Sequence, residues 1–149
     1  MTLAEALQER ADLNRRIQQL QFRLSANAIV QEGEHPAEDP QELLAELEQS
    51  ISLLEQLITK INLRNCATLV DGKSLTQMIA EKDCLTLKLE AYRKLGYEAS
   101  QLAHRASKTE IKIFSTVNVK EIQKTVDRLS KELRLLDNKI QQTNWTTEL

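Results

Sequence analysis

The chain has 149 residues, of which 28% are charged, and its formal net charge is −2. This length predicts a single domain over residues 1–149, and so small a net charge provides no general attraction to nucleic acid or to a membrane surface. Leucine occurs 24 times, glycine three times and proline twice. Strong helix formers therefore dominate, as is typical of proteins built from long α-helices.

The sequence predicts neither export nor membrane insertion. The first ten residues, MTLAEALQER, lack the apolar core of a signal peptide. No apolar run approaches the roughly 20 residues needed to cross a bilayer. We therefore expect a cytoplasmic protein with no membrane association.

The two cysteines, Cys66 and Cys84, are not expected to form a disulfide. A hairpin that turns near Gly72 would leave them about 10 Å apart along the helix axis. Their Cα atoms would need to come within about 7 Å. We therefore expect two reduced thiols that are packed against neighbouring side chains.

The first predicted helix spans about residues 2–27. Its apolar residues recur at intervals of four, three and four, which is the spacing of one helix face. These residues are Leu13, Ile17, Leu20 and Leu24. The following segment, residues 28–38, contains Gly33 and Pro36 and interrupts the pattern.

The second predicted helix spans about residues 40–68. Asp39 can accept hydrogen bonds from the free N–H groups of the first turn, where Pro40 is also favoured. The apolar residues form a heptad seam of Leu47, Ile51, Leu54, Ile58 and Ile61, which is widened by Leu44, Leu53, Leu57 and Leu63. So wide a seam predicts more than one neighbouring helix.

The third predicted helix spans about residues 74–105, after a turn at Gly72. It has one apolar stripe of Leu75, Met78, Leu85, Leu89 and Tyr92, and another of Cys84, Leu87, Ala91, Leu95 and Leu102. A helix that is apolar on two sides is expected to be buried on two sides.

Residues 109–117 predict a short extended segment, because β-branched residues cluster and Ile111, Ile113 and Val117 alternate with other types. The backbone groups of a lone strand need a partner. Two partners remain open: residues 28–31 of the same chain, or the same segment of a second subunit.

The fourth predicted helix spans about residues 119–143 and has the most regular seam. Its members are Val119, Ile122, Val126, Leu129, Leu133, Leu136 and Ile140. Short connections between helices make neighbours antiparallel. The sequence therefore predicts an all-α fold, either an antiparallel four-helix bundle or a pair of long coiled-coil hairpins.

Charge is distributed unevenly along the chain. Residues 31–60 hold eight acids and one lysine, or −7, whereas residues 105–141 hold nine basic groups and five acids, or +4. The fourth helix places Lys120, Lys124, Arg128 and Lys131 on one face, which could contact the phosphates of tRNA or DNA. The scarcity of aromatic residues favours a solvated face or a contact with the acidic second helix instead.

Candidate metal ligands occur together in the loop of Glu32, Glu34 and His35. Their spacing matches no defined metal loop, so we interpret the loop as an acidic, solvated one and expect no metal and no cofactor. No phosphate-binding loop, nucleophile elbow or zinc-binding pair is present. We therefore expect no enzymatic activity, with a metal-dependent enzyme that uses the His35 loop as an alternative.

Trp145 is the single tryptophan of the 149-residue chain. Two roles are open for it. It caps the hydrophobic core, or it anchors a subunit interface, where tryptophan is enriched.

Four segments resemble a family of small uncharacterised bacterial proteins that often carry the label septicolysin. They are LAEALQERADLNRRI, VQEGEHPAEDPQELLAEL, SKTEIKIFSTVNV and NWTTEL. The resemblance implies an all-helical protein of unknown biochemical role, with no catalytic residues to carry over. We do not predict cytolysis, because Cys66 lies in a segment without tryptophan.

The leading expectation is a helical module that acts by association. Because the second and third helices are apolar on more than one side, we expect a homo-oligomer or binding to another protein. Nucleic-acid binding through the fourth helix is the alternative from a different class.

Overall fold

Four α-helices make up most of the described chain, which comprises residues 1–102 and 111–149 of this computed structural model. They are α1 (Leu3–Ala26), α2 (Pro40–Ala67), α3 (Leu75–Ser100) and α4 (Val119–Thr146). Strands β1 (Leu69–Val70) and β2 (Lys73–Ser74) form a two-stranded sheet. The predicted all-α class is confirmed. The predicted end of the third helix near residue 105 lies outside the described residues.

Each helix begins at a side chain that accepts a hydrogen bond from its first turn. Asp39 Oδ1 accepts from the Gln41 N–H at 2.8 Å, and Asn118 Oδ1 accepts from the Glu121 N–H at 3.2 Å. Thr2 and Ser74 each form a complete capping box. These caps supply partners for N–H groups that have none within the helix, which is why the predicted helix starts are accurate.

Residues 1–70 and 143–149 form one compact unit. Helices α1 and α2 are antiparallel in it, because Arg16 near the middle of α1 pairs with Glu46 at 2.8 Å, whereas Arg23 near its end pairs with Glu38 before α2. The buried apolar side chains of these two helices are mainly leucine and include Leu3, Ala6, Leu13, Leu20, Leu43, Leu57 and Ile61. Burial of these apolar groups is the main source of stability in the unit.

The two ends of the chain lie side by side in this unit. The Leu3 N–H donates to the Thr147 carbonyl, and the Leu149 N–H donates to the Met1 carbonyl, both at 2.8 Å. The Met1 ammonium lies 3.0 Å from Glu148 Oε2, and this hydrogen bond raises the pKa of the amino group. Backbone hydrogen bonds therefore order the two ends of the chain, which would otherwise fray.

Residues 71–142 form the second compact unit. Helices α3 and α4 are antiparallel in it, because Lys82 pairs with Asp137 at 2.5 Å and Arg93 donates to Ser130 at 3.3 Å. The core consists of Leu89, Val126 and Leu129, with Leu85, Tyr92 and Leu133 packed against it. The predicted seam of the fourth helix is thus a core seam, and one of the two predicted stripes of the third helix faces it.

Gly96 permits close approach of α3 to α4. A Cβ atom added there would lie 3.2 Å from Cγ2 of Ile122, which is tighter than ordinary van der Waals contact. This close contact accounts for a residue that is otherwise unfavourable in a helix interior by about 1 kcal/mol relative to alanine.

The predicted packing of the two cysteines is wrong. Cys66 and Cys84 are both exposed, and they are not joined by a disulfide. Cys84 is exposed because it lies on the side of α3 that faces away from the α4 core, a choice that periodicity alone did not reveal.

Two further predictions concern the segment before α4 and the membrane. Residues 111–117 belong to no helix or strand, whereas 109 and 110 lie outside the described residues. In the described ranges, no helix is both long and apolar enough to cross a membrane. The single domain stays a prediction.

We expect Asn27→Ala to destabilise the unit of α1 and α2 by about 1–2 kcal/mol. Asn27 is buried, its Oδ1 accepts from the Glu38 N–H at 3.0 Å, and its Nδ2 donates to the Arg23 carbonyl at 2.9 Å. Urea denaturation followed by circular dichroism measures the change. Gln31→Ala, at an exposed position in the same loop, is the control. Equal stability of both variants would contradict this role.

We also expect the free energy of unfolding to fall as the pH falls below about 4. Hydrogen bonds from Arg23 and Lys82 lower the pKa of Glu38 and Asp137 in the folded chain. Carboxyls with a lowered folded pKa stabilise the chain above their unfolded pKa, and this contribution is lost as they become protonated. Urea titrations at neutral and acidic pH should show a smaller decline for Glu38→Gln/Asp137→Asn than for the original chain. An equally steep decline would assign the pH dependence to other groups.

Candidate functional site

One side of α2 carries a row of apolar side chains that are exposed or half-buried in the described part of the chain. Leu44, Ile51 and Ile58 are 39%, 46% and 36% exposed, and each is seven residues from the next. Leu47 and Leu54 lie between them and are half-buried. These five residues are called the α2 row.

The α2 row lies beside the α1 contact rather than within it. Leu43, Leu57 and Ile61 are buried, and they lie around the helix from Ile51 by roughly 80–120° at about 100° per residue. The predicted heptad seam of the second helix is therefore only partly a core seam. Ile61 is buried as expected, but Ile51 and Ile58 face outwards, because α1 packs against an adjacent side of the helix.

The other edge of the α2 row is acidic. Glu48 and Glu55 are exposed and lie on the side of the row away from the α1 contact. They are seven residues apart, so they recur at the same edge. Sequence reasoning did not single them out, although their spacing relative to Ile51 and Ile58 was a usable signal.

A second apolar row lies on α3, on the side opposite Leu89 and the α4 core. It consists of Cys84, Leu87, Ala91 and Leu95 and is called the α3 row. Leu87 is 66% exposed and Leu95 is 42% exposed, and Cys84 and Ala91 are also exposed. These residues belong to the second stripe predicted for the third helix, and the single chain leaves them exposed, so the predicted burial on two sides would require a partner.

The two rows have the composition of association surfaces. The α2 row alternates Leu or Ile at one heptad position with Leu at the other, which is the pattern of a coiled-coil seam. Soluble monomers seldom leave large apolar side chains aligned and exposed in this way, whereas scattered ones are common.

The basic face predicted on the fourth helix is present but partly neutralised. Lys120, Lys124, Arg128 and Lys131 are all exposed on α4. Lys124 pairs with Glu121 at 3.2 Å, and Arg128 pairs with Glu132 at 2.8 Å. Acids of the same helix therefore reduce the positive potential that phosphate binding would need.

The loop of His35 lines an open concavity of about 500 Å³, together with Glu34 and apolar residues such as Ile29 and Val30. Glu32 and Glu34 are exposed. Within residues 1–102 and 111–149, no group of three histidine, cysteine or acidic side chains is arranged to hold a metal ion.

Trp145 is 54% exposed near the end of α4. The neighbouring Asn144 is buried instead, at 5% exposure. The tryptophan ring is thus largely open to solvent, which favours the interface role over the core role among the two that the sequence left open.

The molecule is an all-α protein with two candidate sites, an exposed apolar row on α2 and another on α3. The chain belongs to the family described as "Family of unknown function (DUF6847)", whose model matches residues 10–149. It is similar to a crystal structure of "a functionally unknown conserved protein" from Corynebacterium diphtheriae, with 39% identity and a TM-score of 0.94, over 100% of this chain and 98% of that chain. No curated protein matches the chain. Neither similarity carries the septicolysin label.

Proposed function

We propose that this protein is a non-enzymatic helical module that associates with further copies of itself through the α2 row. The observation that carries the proposal is the alignment of Leu44, Ile51 and Ile58, all exposed, along one side of a 28-residue helix. Removing such side chains from water is favourable by about 25 cal/mol per Å² of apolar surface. A second copy is the partner to which every molecule of this protein has access.

The lowered pKa values of the described carboxyls have local structural causes. Active sites characteristically shift pKa values by burial and by gathering charges in a cleft. In the described ranges, the lowered pKa values of Glu5, Glu38, Asp71 and Asp137 each follow from a hydrogen bond at a cap or a surface ion pair. These shifts have a structural cause and point to no reacting group.

The other functions considered from the sequence have weaker support. Nucleic-acid binding relied on four cations of α4, two of which pair with acids of the same helix. Metal-dependent catalysis relied on Glu32, Glu34 and His35, and in the part of the chain that the structure describes no group of three histidine, cysteine or acidic side chains is arranged to hold a metal ion. The cytoplasmic location stays a prediction.

Light scattering at several protein concentrations tests the proposal. We expect a mass above the 17.0 kDa of one chain, increasing with concentration. Ile51→Glu/Ile58→Glu should return the protein to the mass of one chain, because two charges would otherwise be buried in the contact. Circular dichroism should remain that of the original protein, since both positions are exposed in the single chain.

The matched control is Gln49→Glu/Gln56→Glu. It adds the same charge to the same helix at exposed positions on the side away from the α2 row. It should assemble like the original chain. A mass of 17.0 kDa for the original chain at the highest concentration reached, or undiminished assembly of the Ile51→Glu/Ile58→Glu variant, would refute the proposal.

A further inference from the structure

The two exposed rows complement one another. We infer that the α2 row of one copy binds the α3 row of a second copy. This inference rests on the proposed self-association and adds the identity of the contacting surfaces.

Side-chain size supports an antiparallel alignment of the two rows. If Ile51 faces Ala91, then Ile58 faces Cys84. The reason is that Ile51 and Ile58 are seven residues apart on α2, and Cys84 and Ala91 are seven residues apart on α3. Large side chains of α2 thus meet small ones of α3, which allows the knobs of one helix to enter the holes of the other. The same register places Leu47 opposite Leu95.

Charge supports the same alignment. In this register the α3 position that faces Glu55 of α2 is the one next to Lys88. At about 100° per residue, both lie on the edge of their row that antiparallel packing brings together. Lys88 and Glu55 are both exposed in the single chain, so each is available to the other.

The remaining charges limit where the contact extends. Leu44 would face Glu98, so the match covers residues 47–58 of α2 and residues 84–95 of α3. Glu81 lies beyond that span and pairs with Lys73 at 2.8 Å. Lys94 lies on the opposite edge of the α3 row from Lys88.

A second copy fits these observations as the occupant. Each chain carries both rows, and both are exposed. A contact between identical α2 rows would instead leave both α3 rows open and set Glu55 of each copy near an acidic edge.

Disulfide trapping tests the register directly. Ile58→Cys is made together with Cys66→Ser, and purified protein is oxidised with copper phenanthroline, which removes two electrons and two protons from a pair of thiols. We expect a disulfide between the new thiol and Cys84 of the other copy, giving a covalent species of twice the single-chain mass on a non-reducing gel. Peptide mapping of that species identifies the linkage.

The control is Gln56→Cys with Cys66→Ser, which places an exposed thiol on the same helix but away from the α2 row. It should give at most the amount of linked dimer that Cys66→Ser gives by itself. A disulfide within one chain, or no more linkage for Ile58→Cys than for the control, would overturn the inference.

Charge reversal provides an independent measurement. Glu55→Lys and Lys88→Glu, each alone at low salt, should weaken self-association about tenfold, because the ion pair at each contact becomes a repulsive pair of like charges. An equimolar mixture of the two variants should recover association, since each contact then joins opposite charges. Failure of the mixture to recover would overturn the inference.

These results separate the two proposals. If the original chain assembles and is disrupted by Ile51→Glu/Ile58→Glu, but trapping and charge reversal fail, then self-association through the α2 row stands and the pairing with α3 falls. If the original chain never assembles, both fall.

Discussion

The structure depends on the burial of leucine-rich helix faces. Each pair of helices can bury only part of the apolar surface that its two helices present. In the unit of α1 and α2, side chains such as Leu20 and Leu57 are buried. The same holds for Leu89 and Leu129 in the unit of α3 and α4. A helix that packs against one neighbour covers one stripe, so a second stripe on α2 or α3 needs another source of cover. The exposed rows follow from this mismatch between apolar surface and neighbours.

Polar groups determine where the elements begin and end rather than how tightly they pack. Caps at Asp39, Ser74 and Asn118 supply partners for N–H groups at helix starts. Asn27 performs the equivalent role between α1 and α2, because it joins the end of one helix to the Glu38 N–H. Since these bonds are local, they position the helices without choosing which apolar face points inwards.

Membership of a family of unknown function leaves the surface as the main guide to activity. The rows on α2 and α3 differ in the features that matter for recognition: the first is rich in large aliphatic residues with an acidic edge, and the second includes Ala91 and Cys84 and has Lys88 at its edge. Complementary size and charge favour pairing between unlike rows over pairing between like ones.

The candidate site illustrates what periodicity can and cannot predict. A seam such as Val126–Leu129–Leu133 was recognisable because a single apolar stripe has one way to be buried. The wide apolar surface of α2 was recognised too, but not which half of it meets α1. The exposed acids Glu48 and Glu55 can be recognised as the edge of an apolar surface only once Ile51 and Ile58 are known to face outwards.

The sequence by itself determined the helices and their starts, because capping, helix propensity and apolar spacing act over a few residues. The tertiary structure decided which stripes form the cores and which stay open, and that Trp145 and Cys84 are exposed. The physical reason is that a stripe becomes core when another helix covers it. Which helix does so depends on contacts between residues far apart in the chain, such as those between α1 and α2.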